Sequence, residues 1–172
     1  MTCLSDALDS FRCCLDEDIE VFLRQKAFEF VHRGWCSVYL ILDGSAFDAG
    51  RIEISAYFTL SHKSLIPSGA SKSKIKNASG FAAATSIHFV LIGQLGKHIE
   101  KSEDGRYISA SISAGEILDY AFEIICASND LIPCRCALVE CSDNKKVQKV
   151  YTDYGFSEFQ HDGELYQFTK RI

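Results

Sequence analysis

The chain has 172 residues, 47% of them hydrophobic, and a formal net charge of −5 at pH 7. That length and apolar share suit one domain, 1–172, around one core, and an acidic balance with no long run of one sign argues against free nucleic acid as the obvious partner. The N-terminus lacks a basic n-region and an apolar h-region, and no apolar run approaches the roughly 20 residues of a membrane span, so a soluble cytoplasmic protein with no membrane partner is expected.

Asp16 to Val31 has the pattern of an amphipathic helix: Ile19, Phe22, Leu23, Ala27, Phe30 and Val31 share a face, acids crowd the first turn, and Gly34 ends it. Trp35 to Leu42 is nearly all apolar, which predicts a strand buried on both faces. Asp43 to Gly50 is turn-rich. Arg51 to Leu60 alternates, placing Ile52, Ile54, Ala56, Phe58 and Leu60 on one face and Glu53, Ser55, Tyr57 and Thr59 on the other.

Pro67 to Thr85 turns to Ser, Lys, Ala and Gly, a long polar connection with Lys72, Lys74 and Lys76 in it, and is expected to be a solvated loop. Ser86 to Leu95 is the most apolar strand candidate and the natural central strand; Gly93 and Gly96 mark its end as a place where backbone bends or approaches a ligand. After a second polar stretch, His98 to Arg106, Ser113-x-x-Glu116 forms a capping box. Ile117, Leu118, Ala121, Ile124 and Ile125 then line a helix. Cys134 to Cys141 is another strand, and Phe156 to Gln160 and Leu165 to Thr169 flank His161-Asp162-Gly163 as a hairpin. The eight cysteines contain no C-x-x-C pair, so no metal site is expected, and reduced buried thiols are the simplest reading.

The most informative stretch is Ser142 to Phe156. Ser142 and Asp143 read as N-cap residues, with the Asn144 amide in the first turn free to bond something in front of the helix. Val147, Val150, Tyr151 and Tyr154 share an apolar face, and Gly155 takes the left-handed turn that ends the helix. Asn144 and Tyr151 lie two helical turns apart, on about the same side.

The pattern Asn144-x-x-Val147-x-x-x-Tyr151-x-x-x-Gly155-Phe156 resembles the last conserved helix of the GNAT family of acetyl-CoA-dependent N-acetyltransferases, and the order of elements from about Asp16 onward is similar to that family's. The resemblance implies an α/β (α+β) GNAT-like fold. Its central sheet would be mixed and mostly antiparallel, with about six to seven strands, helices on both faces and a splay at the cofactor strand. It also implies that Leu95, Gly96 and Lys97 offer backbone groups to the pantetheine arm of acetyl-CoA. Ser113, Ala114 and Gly115 would hold the pyrophosphate at a capped helix start, and Asn144 would contact the cofactor. Tyr151 would be the general acid for the leaving thiolate, with Tyr154 as the competing phenol. Counted back from the helix, Ser109, Ile112 and Ala114 stand where the family's pyrophosphate consensus has Gln/Arg, Gly and Gly/Ala, and only Ala114 agrees.

Candidate bases for the attacking amine are Glu53, His62, His88 and Glu140. The acceptor is an amine on a small molecule, a protein or an aminoacyl-tRNA, and a homodimer is one option for assembly. Phe22-Leu23-Arg24 with Ala27, and Tyr57-Phe58-Thr59-Leu60-Ser61, resemble the GNAT toxins that acetylate charged tRNA. A GNAT-fold binding or regulatory protein without turnover is the third reading, motivated by the altered pyrophosphate loop.

Overall fold

The computed structural model describes residues 3–172. The chain divides into two compact units, Met1–Thr59 with Gln94–Ile117, and Leu60–Gly93 with Leu118–Ile172. Helices accompany a six-stranded mixed sheet in the order β1-β2-β3-β6-β8-β7: β1 Ser37–Leu42, β2 Ile54–Leu65, β3 Ile87–Lys97, β6 Cys136–Cys141, β7 Ser157–His161 and β8 Tyr166–Arg171. Strand β3 pairs parallel with β6, while β8 pairs antiparallel with both β6 and β7.

In the first unit, helix α1 (Leu4–Ser10) precedes the predicted amphipathic helix. That helix is one continuous run: α2 (Glu17–Val21), a π segment (Phe22–Lys26) and α3 (Ala27–His32). Asp16 caps it by accepting from the Ile19 N–H, as its acidic first turn predicts. Phe22, Leu23 and Ala27 pack with Ala7, Phe11, Ile54 and Tyr57 into one core cluster. The Tyr57 hydroxyl donates to the Ile19 carbonyl at 2.7 Å, and the edge of the Phe11 ring meets the Tyr57 ring at 5.5 Å. The Phe22-Leu23…Ala27 and Tyr57 pattern is therefore a core, not a surface. Tyr57 and Thr59 depart from the alternation expected of β2, since both are buried; Thr59 meets the demand of its hydroxyl by accepting from the Gln94 N–H at 2.8 Å.

Strand β1 is the outermost strand of the sheet and is mostly half-buried, so the both-faces-buried expectation fails. Both of its faces are partly covered, by the first core cluster under Val38, Leu40 and Leu42 and by Phe58 stacked on Tyr39 at 5.1 Å. The turn-rich stretch after it holds a short helix, α4 (Gly44–Asp48), capped by Asp43. The second polar stretch is a small hairpin, β4 (Ile99–Lys101) with β5 (Tyr107–Ser109), in which Gly105 adopts φ +84° at the tip. Ile99 also bonds the segment before α2, donating to the Arg12 carbonyl and accepting from the Cys14 N–H.

In the second unit, the expected loop at Pro67–Thr85 contains helix α5 (Lys72–Ser79). Ser71 caps it, Gly80 ends it in the left-handed region, and Ile75 and Ala78 are buried. Those two join Leu65, Phe89, Cys136, Leu138 and Phe159 in a second core cluster. Two apolar positions one turn apart suffice to dock a helix whose other faces are polar. Strand β6 is nearly fully buried, as a strand with a parallel neighbour should be. A polar ladder crosses this unit: Lys63 pairs with Glu140 at 2.5 Å, Gln167 donates to Glu140 at 2.8 Å and to Asp162 at 3.0 Å, and Gln160 donates to Gln167 at 2.9 Å. Of the cysteines, Cys13, Cys136 and Cys141 are buried, while Cys3, Cys14 and Cys126 are exposed, which narrows the buried-thiol reading to part of the set. Among the described residues no helix is long and apolar enough to cross a membrane.

Candidate functional site

Helix α7 (Lys145–Asp153) is the expected motif helix, but its N-cap is Asn144, not Ser142 or Asp143. The Asn144 Oδ1 accepts from the backbone N–H groups of Lys146 and Val147, at 3.1 and 3.3 Å. Its carbonyl oxygen is thus committed to its own helix, and the part of the side chain the cap leaves for a ligand is the Nδ2 amide.

The other end closes as a Schellman turn. Gly155 has φ +96°, and the Phe156 N–H reaches back to the Tyr151 carbonyl at 3.0 Å. The Tyr151 and Phe156 rings meet at 5.9 Å, and Phe168 lies 6.4 Å from Tyr151. Tyr151 is 9% exposed. Its hydroxyl makes no hydrogen bond among the described residues, and the oxygen is not fully enclosed although the residue is buried. Burial first, and the neighbouring Cys141 second, push the phenol up to about 12.

Tyr154 has a different fate. Its hydroxyl donates to Asp119 on helix α6 (Ala114–Asn129) at 2.7 Å, and the Lys170 ammonium sits 3.9 Å from its ring centroid. Burial and then the Asp119 bond raise its pKa as well. Of the two phenols on this helix, Tyr151 has the hydroxyl without a protein partner. No local signal in the sequence points to Asp119, which comes from an element 35 residues away.

In the first unit, the predicted capping box at the start of α6 is present: Glu116 N–H donates to Ser113 Oγ at 3.2 Å, and Ser113 N–H donates to the Glu116 carboxylate at 2.7 Å. The box leaves the N–H groups of Ala114 and Gly115, the first two helical positions, without intrahelical acceptors. A Cβ built on Gly115 would meet nothing nearer than Ser113 Oγ at 3.8 Å, so there is room in front of these donors. Bonds from Ser113 hold the Glu116 carboxyl below the usual range, which keeps a negative charge in the first turn. The donors suit a phosphate; that carboxylate opposes one.

Leu95, Gly96 and Lys97 lie at the end of β3. Gly96 is buried, and a Cβ there would come within 2.5 Å of both Ile19 Cγ2 and Tyr57 Cε1. Close core packing by itself demands glycine at that position. Leu95 and Lys97 are half-buried.

The four candidate bases do not share one environment. Glu140 is held in its ion pair with Lys63, Glu53 pairs with Arg51 at 2.9 Å, His88 Nδ1 shares a 2.7 Å hydrogen bond with Ser64, and His62 is exposed.

No protein-family model matches the chain, and no curated protein matches its sequence. Solved structures do match it. The toxin AtaT complexed with acetyl-methionyl-tRNAfMet is similar with TM-score 0.70 and 18% identity over 95% of this chain and 86% of that one. AtaTR bound with acetyl-CoA gives TM-score 0.68 and 18% identity over 98% and 90%. A mutant of KacT gives TM-score 0.72 and 14% identity over 95% and 86%. Likeness at this identity establishes the fold, and it is the GNAT-like α/β fold expected from the motif helix.

Proposed function

We propose that the protein is an acetyl-CoA-dependent N-acetyltransferase that moves the acetyl group directly to an amine acceptor. The observation that carries this reading is Tyr151: a packed ring on the motif helix whose hydroxyl has no protein partner among the described residues and is not fully enclosed. The fold it shares with AtaTR, solved with acetyl-CoA, supports the choice of co-substrate. Asn144 contacts the cofactor through Nδ2, the N–H groups of Ala114 and Gly115 with the Ser113 turn receive its pyrophosphate, and Leu95, Gly96 and Lys97 offer backbone groups to its pantetheine arm.

Acetyl-CoA supplies the thioester; a C–N bond forms, the C–S bond breaks, and one proton leaves nitrogen as one reaches sulfur. Tyr151 holds a proton for that sulfur. A phenol near 12 is fully protonated at neutral pH, so the donor is always in place. Full transfer to a thiolate of ordinary pKa, about 8.5, is uphill by about 3.5 units, so Tyr151 donates a hydrogen bond during departure and passes on a proton that the amine releases.

An aminoacyl-tRNA acceptor is the second reading, favoured by the AtaT complex with acetyl-methionyl-tRNAfMet. Calorimetry with acetyl-CoA, followed by thiol release with a panel of amines and with charged tRNA, tests both readings. Binding and release with one acceptor class are expected. Binding without release from any acceptor would leave a GNAT-fold binding protein, and no binding would end the acetyltransferase reading.

A further inference from the structure

The second unit holds a cleft of about 350 Å³ between α5, the start of β6 and the β7–β8 hairpin. Lys74, Lys170 and Arg171 line it, with Asn77, Ser157 and Thr169 as neutral polar groups. The one acid in the lining is Glu158. Arg135, beside Gly80 and Asn77 at the end of α5, adds a further positive charge near the cleft.

Among the described residues, seven of the eighteen Lys and Arg side chains pair with a carboxylate. Among the described residues, none of these ion pairs includes Lys72, Lys74, Lys76, Arg135, Lys170 or Arg171. Arg135 has a structural task, since its Nε donates to the Asn77 carbonyl at the C-terminal end of α5. Lys74 and Arg171 are the lining cations left for a ligand, since the Lys170 ammonium lies over the Tyr154 and Phe122 rings at 3.9 and 4.7 Å. Lys74 Nζ gives one hydrogen bond, to the Phe159 carbonyl at 3.2 Å, and Lys170 Nζ gives one, to the Tyr154 carbonyl at 2.8 Å. The Lys74 ammonium keeps two donors, and the Arg171 guanidinium keeps its fork. The Phe159 carbonyl holds the Lys74 ammonium at the cleft without neutralising it.

We propose that this cleft binds a phosphate group, carried by a free phosphate compound or by a nucleic-acid backbone. A lysine ammonium, an arginine fork, hydroxyls and an amide are the set that takes phosphate oxygens. The cleft is built wholly from the second unit and does not include Ser113, Ala114 or Gly115.

The test is an amide-resolved NMR titration with inorganic pyrophosphate and, separately, with a 5′-phosphorylated RNA tetranucleotide. Shifts at the cleft and at Ala114–Gly115 are read in the same spectra, so the two sites succeed or fail independently. Saturable shifts at Lys74, Ser157, Thr169 and Arg171 are expected, weakening with added salt. Lys74→Gln with Arg171→Gln should weaken binding by about tenfold or more. Ser157→Asp, which puts a negative charge at an exposed lining position in place of a hydroxyl donor, should weaken it further. Tighter binding of the tetranucleotide identifies a nucleic-acid source, and equal binding a free phosphate compound. No saturable shift at the cleft, or shifts unchanged in both variants, overturns the proposal, as does saturation by an oligoglutamate peptide when neither phosphate probe binds.

Discussion

The Phe156 N–H donates to the Tyr151 carbonyl at 3.0 Å, and the two rings pack at 5.9 Å, so the residues that follow the helix fix the phenol inside it. This is the physical content of the Tyr-x-x-x-Gly-Phe spacing. Gly155 supplies the left-handed residue that lets the chain reverse, and Phe156 supplies both the hydrogen bond and the apolar contact of the Schellman turn. Gly155→Ala should therefore cost about 1–2 kcal/mol from the positive φ alone, since an added Cβ meets only the Lys170 tip at ordinary contact distance. Urea denaturation checks it, with Lys149→Ala as the exposed control on the same helix; equal stability of both variants would show that the turn does not hold this helix end.

The two phenols of α7 should separate by readout. Tyr151→Phe removes a hydroxyl without a protein partner, so folding stability at neutral pH should change by less than about 0.5 kcal/mol, while acetyl transfer falls about 10²–10⁴-fold. Tyr154→Phe removes the 2.7 Å bond to Asp119, so it should destabilise by about 1 kcal/mol and leave transfer nearly intact. Steady-state rates and melting curves on both variants decide it; the reverse pattern would assign the acid to Tyr154.

Burial of Tyr151 has a pH signature. Its folded pKa, about 12, lies above the ordinary phenol value near 10, so its protonated form is the one that folding favours. The stability it contributes is present below pH 10 and is lost as pH rises towards and through 12. Melting temperature between pH 9 and 12 should fall less steeply in Tyr151→Phe than in wild type. Tyr57 and Tyr154 are raised in the same direction, so some slope remains in the variant.

The motif helix, the capping box and the order of the main strands were legible because each is written locally: a cap, a period and a terminating glycine lie within one short stretch. Helix α5 was not, since only Ile75 and Ala78 mark its buried face and its lysines and serines read as loop. The β4–β5 hairpin was hidden for a similar reason, with its strands three residues each. Contacts across sequence were out of reach altogether. Nothing local says that Glu140 is paired by Lys63, that Asp119 holds Tyr154, or that Gly96 lies against Ile19 and Tyr57.

Asn144 carries two roles that a single substitution would confuse. Asn144→Ala loses the cap and should destabilise by about 1 kcal/mol whether or not a cofactor binds. Asn144→Asp keeps an oxygen that accepts from Lys146 and Val147, so stability should stay within about 0.5 kcal/mol of wild type. It removes the Nδ2 donor, and acetyl-CoA binding by calorimetry should weaken by about tenfold. Full binding by Asn144→Asp would confine this residue to capping.

Gly96 separates packing from cofactor contact on β3. A methyl group there would sit 2.5 Å from Ile19 Cγ2 and from Tyr57 Cε1, and both side chains belong to a core that cannot yield freely. The Tyr57 ring is pinned by its bond to the Ile19 carbonyl, by the edge contact with Phe11, and by Phe22 stacked at 6.2 Å. Overpacking of this kind costs about 1–3 kcal/mol, so Gly96→Ala should lower the urea midpoint in proportion. A second change, Ile19→Ala, removes Cγ2, the atom that meets one side of the added Cβ. Because the two sites touch, the pair should be less destabilised than the sum of the single variants. Strict additivity, or a Gly96→Ala variant of full stability that fails only to bind acetyl-CoA, would return this glycine to the cofactor.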